Sequence, residues 1–169
     1  MRKLVGIWGL LGVIALVSQA LWRLTPIAIE TIENYPLTTW HWVLMVVWVL
    51  FNAYAEGYRG FHRRFSPRTV SRAFYLIDHP TPLRVLLAPL FCMGLFDATR
   101  KVLIAAWSVL ILVIGLIIWV RSLSEPWRGI VDAGVVVGLS LGLLSILYFT
   151  VRRFAGQPTG HDPCVPPKG

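Results

Sequence analysis

Four stretches of the chain contain no Asp, Glu, Lys or Arg: residues 4–22, 38–55, 102–120 and 133–151. Each approaches the roughly 20 residues that a helix needs to cross a hydrocarbon layer of about 30 Å. Lipid offers the backbone no water, so a spanning segment must satisfy its own N–H and C=O groups. The runs therefore predict an all-α integral membrane protein with four transmembrane helices. A hydrophobic fraction of 56% points to the same class. The expected layout is a single transmembrane domain over residues 1–153 and a flexible cytoplasmic tail over 154–169. That tail contains four prolines and three glycines and has little apolar content.

The first run follows Arg2 and Lys3. A basic start, an apolar middle and Ser18-Gln19-Ala20 could mark a cleaved signal peptide. The length of the run, and an interfacial end at Trp22 and Arg23, favour a retained anchor. A short outer loop is expected over residues 23–37, with Pro26, Glu30, Glu33 and Pro36. Trp40 and Trp42 suit an aromatic belt at the outer interface.

Between the second and third runs lies a basic segment, residues 56–101. Tyr54, Tyr58, Phe61 and Phe65 keep helical spacing, so the second helix should continue beyond the hydrocarbon to about Phe65. Ser66-Pro67 reads as a restart, with Ser as N-cap and Pro in the first turn. From there Val70, Phe74 and Ile77 form one face, and Arg68, Arg72 and Tyr75 another. This pattern predicts a short amphipathic helix lying on the membrane surface. His79-Pro80 ends it, because the residue before a proline avoids the helical region. Thr81-Pro82 gives a second cap and first turn. Residues 85–96 carry no charge but are too few to span, so a kinked interfacial or re-entrant helix is expected.

Orientation follows from the basic residues. With the N-terminus inside, thirteen Lys and Arg fall on the cytoplasmic side and three, Arg23, Arg121 and Arg128, outside. Both termini are then cytoplasmic. The same bias accounts for a net charge of +8 without invoking nucleic acid, for which no recognised module is present. Cys92 and Cys164 have no paired spacing and lie on the reducing side, so no disulfide is expected.

Two glycine patterns predict helix packing: Gly6, Gly9 and Gly12 in the first run, and Gly134, Gly138 and Gly142 in the fourth. Small residues at such spacing let helices approach closely in a membrane.

Chemistry-bearing constellations are few. There is no HExxH, no CxxC and no histidine pair at i, i+4, so neither a metal nor a cofactor is expected. Of the four histidines, only His41 lies in a span, and Asp132 stands at the edge of the fourth. Glu56, Arg59 and His62, followed by Arg63 and Arg64, are the nearest approach to a site. They sit at the expected cytoplasmic mouth of the second span. No residue is assigned as catalytic. Arg59, Arg63, Arg64, Arg68 and Arg72 are the candidate contacts for lipid headgroups or a partner protein.

Residues 56–61 (EGYRGF) with 65–68 (FSPR), residues 79–94 (HPTPLRVLLAPLFCMG) and residues 126–134 (PWRGIVDAG) resemble small multi-span bacterial inner-membrane proteins of unknown function. The resemblance implies a bacterial inner membrane and no activity. The expectation is a non-enzymatic, multi-pass membrane protein. Its basic segment would contact anionic lipids or a larger membrane protein, which would make the chain an accessory subunit, and self-association is also open. The alternative is a small enzyme acting on a lipid or isoprenoid phosphate through Glu56, His62 and Arg59.

Overall fold

A computed structural model describes residues 2–166 of the chain. Met1 and residues 167–169, which include Lys168 and the end of the expected tail, lie outside the described residues. Every regular element described is helical: α1 (Arg2–Asn34), α2 (Thr39–Asn52), a π-helix (Ala53–Phe65), α3 (Ser66–Asp78), α4 (Pro82–Leu86), α5 (Ala88–Met93), α6 (Arg100–Arg121) and α7 (Trp127–Phe154). Three of them, α1, α6 and α7, are long and apolar enough to cross a membrane.

The first helix does not stop at Trp22. It runs for 33 residues, about 50 Å at 1.5 Å per residue, through the stretch expected to be a loop. Pro26 withholds one N–H, which ordinarily kinks or ends a helix. Packing overrides that local cost. Ala28 and Thr31 are buried, Thr31 lies against Gly129 of α7, and its hydroxyl donates to Glu125 at 2.9 Å.

The second run begins as expected at Thr38. The Thr38 N–H donates to His41 Nδ1 at 3.2 Å, so this histidine closes a helix end. After 14 residues, however, α2 widens into the π-helix. Both junctions keep helical dihedrals, and the Ser66 N–H donates to the Phe61 carbonyl, five residues back. The helix is thus unbroken from Thr39 to Asp78. Ser66-Pro67 is not a restart, since Ser66 lies in helical conformation and caps nothing. Pro67 has no N–H to extend the wide ladder, and the winding returns to α there.

The π winding has a packing consequence. On α7, Gly134, Gly138 and Gly142 recur every four residues and face Trp48 and Asn52, then Glu56, then Phe61. From Glu56 to Phe61 is five residues, not four. A regular α-helix would bring Gly60 to that place, whereas the wide turn brings the Phe61 ring onto Gly142. A Cβ at 142 would lie 2.6 Å from that ring, and one at 138 would lie 2.7 Å from a Glu56 carboxylate oxygen. The close approach requires glycine.

The glycines of α1 meet other partners. A Cβ at Gly6 would lie 2.8 Å from the Ala73 carbonyl of α3, and one at Gly9 would lie 2.7 Å from Cys92 Sγ of α5. Gly12 sits against Pro89. Accordingly α3 does not lie on the surface with its arginines outward. It is enclosed by α1, α5, α7 and the tail, with Val70, Ala73 and Leu76 fully buried. The segment expected to be a kinked helix forms two short pieces. In α4 the Thr81 hydroxyl accepts the Arg84 N–H, and the helix breaks at Leu87 before Ala88 opens α5. Leu83, Leu86 and Leu90 of these pieces remain exposed.

The described part of the tail is not free. Ser71 of α3 donates to the His161 carbonyl at 2.8 Å and also bonds the Thr159 hydroxyl. The Thr99 N–H donates to the Cys164 carbonyl at 2.9 Å. By contrast α6 stands nearly alone. It is anchored near its start, where Val102 meets Gly94 and Trp107 donates to the Leu95 carbonyl at 3.0 Å, and at its end, where Val120 is buried, while all of residues 103–119 are exposed or half-buried.

Candidate functional site

The helices gather most of the basic residues at one end of the bundle. At one end α3 meets the start of α1 through Gly6 and the end of α7 through Arg153, whose guanidinium lies 5.1 Å from the Phe74 ring. Here lie Arg63, Arg64, Arg68, Arg72, Arg84, Arg100, Lys101, Arg152 and Arg153. At the other end Thr31 meets Gly129, and His41 meets the Trp127 ring edge-on at 5.1 Å. That end carries Glu30, Glu33, Glu125 and Asp132, together with Arg121 and Arg128. Asp132 is not exposed to headgroups; it is buried at 4% relative exposure.

The five arginines singled out from the sequence divide sharply. Arg59, Arg63 and Arg64 are exposed and Arg68 is half-buried. None of them has a carboxylate partner: among the described residues the one ion pair joins Arg84 to Asp97. Arg72 is a different case. It is completely buried, so it cannot reach a headgroup or a partner. Its Nε donates to the Phe91 carbonyl at 2.6 Å, Nη1 to Pro163 at 2.8 Å, and Nη2 to Phe96 and Asp97, both at 3.0 Å. Burial pulls its pKa down to about 10, which leaves it charged at neutral pH. A buried charge is tolerated when it is paired and hydrogen-bonded. Four carbonyls and the Phe91 ring, 4.1 Å away, provide that environment.

Spacing alone could not reveal this role. Arg72 falls on the polar face of an amphipathic pattern, and its acceptors are backbone atoms 19 to 91 residues away in sequence. The available signal was the lone Arg84, set in an otherwise apolar stretch. It is buried too, donating to the His79 carbonyl at 3.3 Å and to the Asp97 carboxylate.

Glu56, Arg59 and His62 are not brought together. Glu56 does not lie at the mouth of a span but beside Gly138, near the middle of α7. Arg59 points outward. His62 shares a hydrogen bond with Ser145 Oγ at 3.0 Å and packs against the Phe149 ring at 5.2 Å. Among the described residues no three His, Cys, Asp or Glu side chains gather as a metal site would need.

Two grooves open on the bundle surface. One, of about 300 Å³, runs between the π-helix and α7 and is lined by Gly57, Tyr58, His62, Leu141, Leu144, Ser145 and Tyr148. The other, of about 760 Å³, follows α1 from Ser18 to Asn34 and includes Glu30 and Glu33.

No family model, curated protein or solved structure matches this chain.

Proposed function

We propose that the chain is a four-span protein of a bacterial inner membrane whose basic, cytoplasmic end holds anionic lipid headgroups. The three long apolar helices support a membrane-embedded chain, and α2 with the π-helix would be the fourth crossing, packed along the glycines of α7. The N-terminus and the tail then share the cytoplasmic side with the arginines, in line with the inside bias of basic residues. One observation carries the reading: Arg59, Arg63 and Arg64 are exposed without a carboxylate partner, while Arg72 and Arg84 are buried and fully engaged. Exposed cations at a bilayer edge attract anionic headgroups at about 1 kcal/mol each. No comparable observation supports catalysis on a lipid phosphate, because the three side chains that would act do not converge.

The test is to change Arg63, Arg64 and Arg68 together to Gln and compare lipid binding in nanodiscs of phosphatidylglycerol and phosphatidylcholine. Arg72 is left intact because it is part of the fold. Weaker preference for phosphatidylglycerol with unchanged insertion is expected. An unchanged preference overturns the reading.

A further inference from the structure

The groove between the π-helix and α7 lies in the half of α7 that leads to Arg152. Its lower wall is Leu141 and Leu144, both exposed, and its floor is Gly57, against which Leu141 packs so closely that a Cβ there would lie 2.8 Å from the leucine side chain. Its upper wall is polar and aromatic. Tyr58 stacks on His62 with ring centroids 5.8 Å apart, and Tyr148 lies 6.0 Å from His62. One turn further along α7, Arg152 Nη1 donates to the Tyr148 hydroxyl at 3.4 Å and the guanidinium lies 5.6 Å from the Tyr148 ring.

This arrangement is graded along one line. Leucines come first, then aromatic rings with polar tips, then a guanidinium. A phospholipid has the same order from acyl chain through glycerol ester to phosphate. Residues 141–148 lie within the apolar run of α7, so the phase around the groove is hydrocarbon and the occupant at hand is an acyl chain. The charge selects the headgroup. Arginine offers a fork of donors that matches phosphate geometry. The larger groove along α1 carries Glu30 and Glu33 and has the wrong sign for the same ligand.

We propose that the groove between the π-helix and α7 holds one acyl chain of an anionic phospholipid, with its phosphate at Tyr148 and Arg152. The proposal rests on the lipid reading above but concerns a single bound molecule rather than the general attraction of a basic surface. Arg152 is not among the arginines that carry that attraction, which allows the two ideas to be separated.

The experiment uses the full chain in nanodiscs of phosphatidylglycerol and phosphatidylethanolamine. Native mass spectrometry at rising collision energy shows which lipid leaves last. The expected result is one phosphatidylglycerol that survives after the bulk lipid is stripped. Leu144→Trp, which fills the groove, should abolish it, and Arg152→Gln should reduce it about five-fold. The Arg63, Arg64 and Arg68 variant should lose bulk phosphatidylglycerol preference yet keep this one. A wild-type protein that enriches phosphatidylglycerol but retains no last lipid, or a Leu144→Trp variant that retains it as well as wild type, overturns the groove and leaves the general reading standing. No enrichment in wild type overturns the general reading. Should Leu144→Trp fail to fold, wild type still decides. A phosphatidylglycerol with a diazirine on its acyl chain should crosslink to peptides containing residues 57–62 and 141–148. Crosslinks spread evenly over all the helices, or equal retention of phosphatidylethanolamine, count against the site.

Discussion

Arg72 donates its Nε to the carbonyl of Phe91 at 2.6 Å while its guanidinium lies 4.1 Å from the centre of the same residue's ring. Arg84 approaches that ring as well, at 5.4 Å. Two cations and one phenyl group thus join α3, α4 and α5, and through the Pro163 carbonyl they also bind the tail.

Arg72→Ala should cost on the order of 3 kcal/mol, since it strands several buried carbonyls at once. Arg72→Lys should recover part of the loss but not all of it, because an ammonium is a point charge on a flexible stem and lacks the planar fork that reaches acceptors on opposite sides. Thermal unfolding in detergent measures both. Equal melting temperatures for wild type and Arg72→Ala would refute the role.

Cys92 should be inert. Burial against Gly9 pushes its thiol pKa up to about 12, only partly opposed by the nearby Arg72, so the reactive thiolate is scarce at neutral pH. Cys164 is more open. Maleimide should label one cysteine per chain at pH 7 and two after denaturation. If the tail is cytoplasmic, an impermeant maleimide should label Cys164 in inverted vesicles but not in intact spheroplasts.

Gly142→Ala should destabilise the bundle by about 1–3 kcal/mol, as overpacking does. The new methyl meets the Phe61 ring, which packs edge-on against Phe65 at 5.3 Å. Pairing it with Phe61→Leu should restore part of the loss. A melting curve for each single and double variant gives the coupling between the two positions.

The Arg63, Arg64 and Arg68 to Gln variant should insert normally and keep its melting temperature, because none of the three has an intramolecular carboxylate to lose. Its attraction to anionic bilayers should fall by about 1 kcal/mol per arginine, and added salt should weaken the wild-type attraction in the same direction. A flotation assay with phosphatidylglycerol vesicles at two salt concentrations reads both effects.

Much of the helix content could be read from apolar runs, and the Thr81-Pro82 start could be read from its cap. The end of α1 could not. Pro26 is a valid local stop signal, overruled only by the fit of Thr31 to Gly129 and Glu125 far along the chain. The π-helix was equally hidden, since Tyr54, Tyr58, Phe61 and Phe65 satisfy an α spacing well enough. Its winding becomes evident only when Phe61 is matched to Gly142. The buried Arg72 is the sharpest case. An arginine on a polar helix face is normally solvated, and the carbonyls that replace water come from α5, the following loop and the tail. Among the candidate site residues, Arg59, Arg63 and Arg64 are exposed because nothing folds back over them.

The isolation of α6 bears on how freely this chain can change. Residues 103–119 touch few side chains of their own molecule, so nearly any apolar residue there serves as well as the one present. Drift along α6 should be limited by hydropathy alone. The glycines of α7, the ring of Phe91 and the guanidinium of Arg72 have no such latitude. Mutational scanning would therefore return a molecule with two regimes, a permissive outrigger and a core in which most substitutions fail.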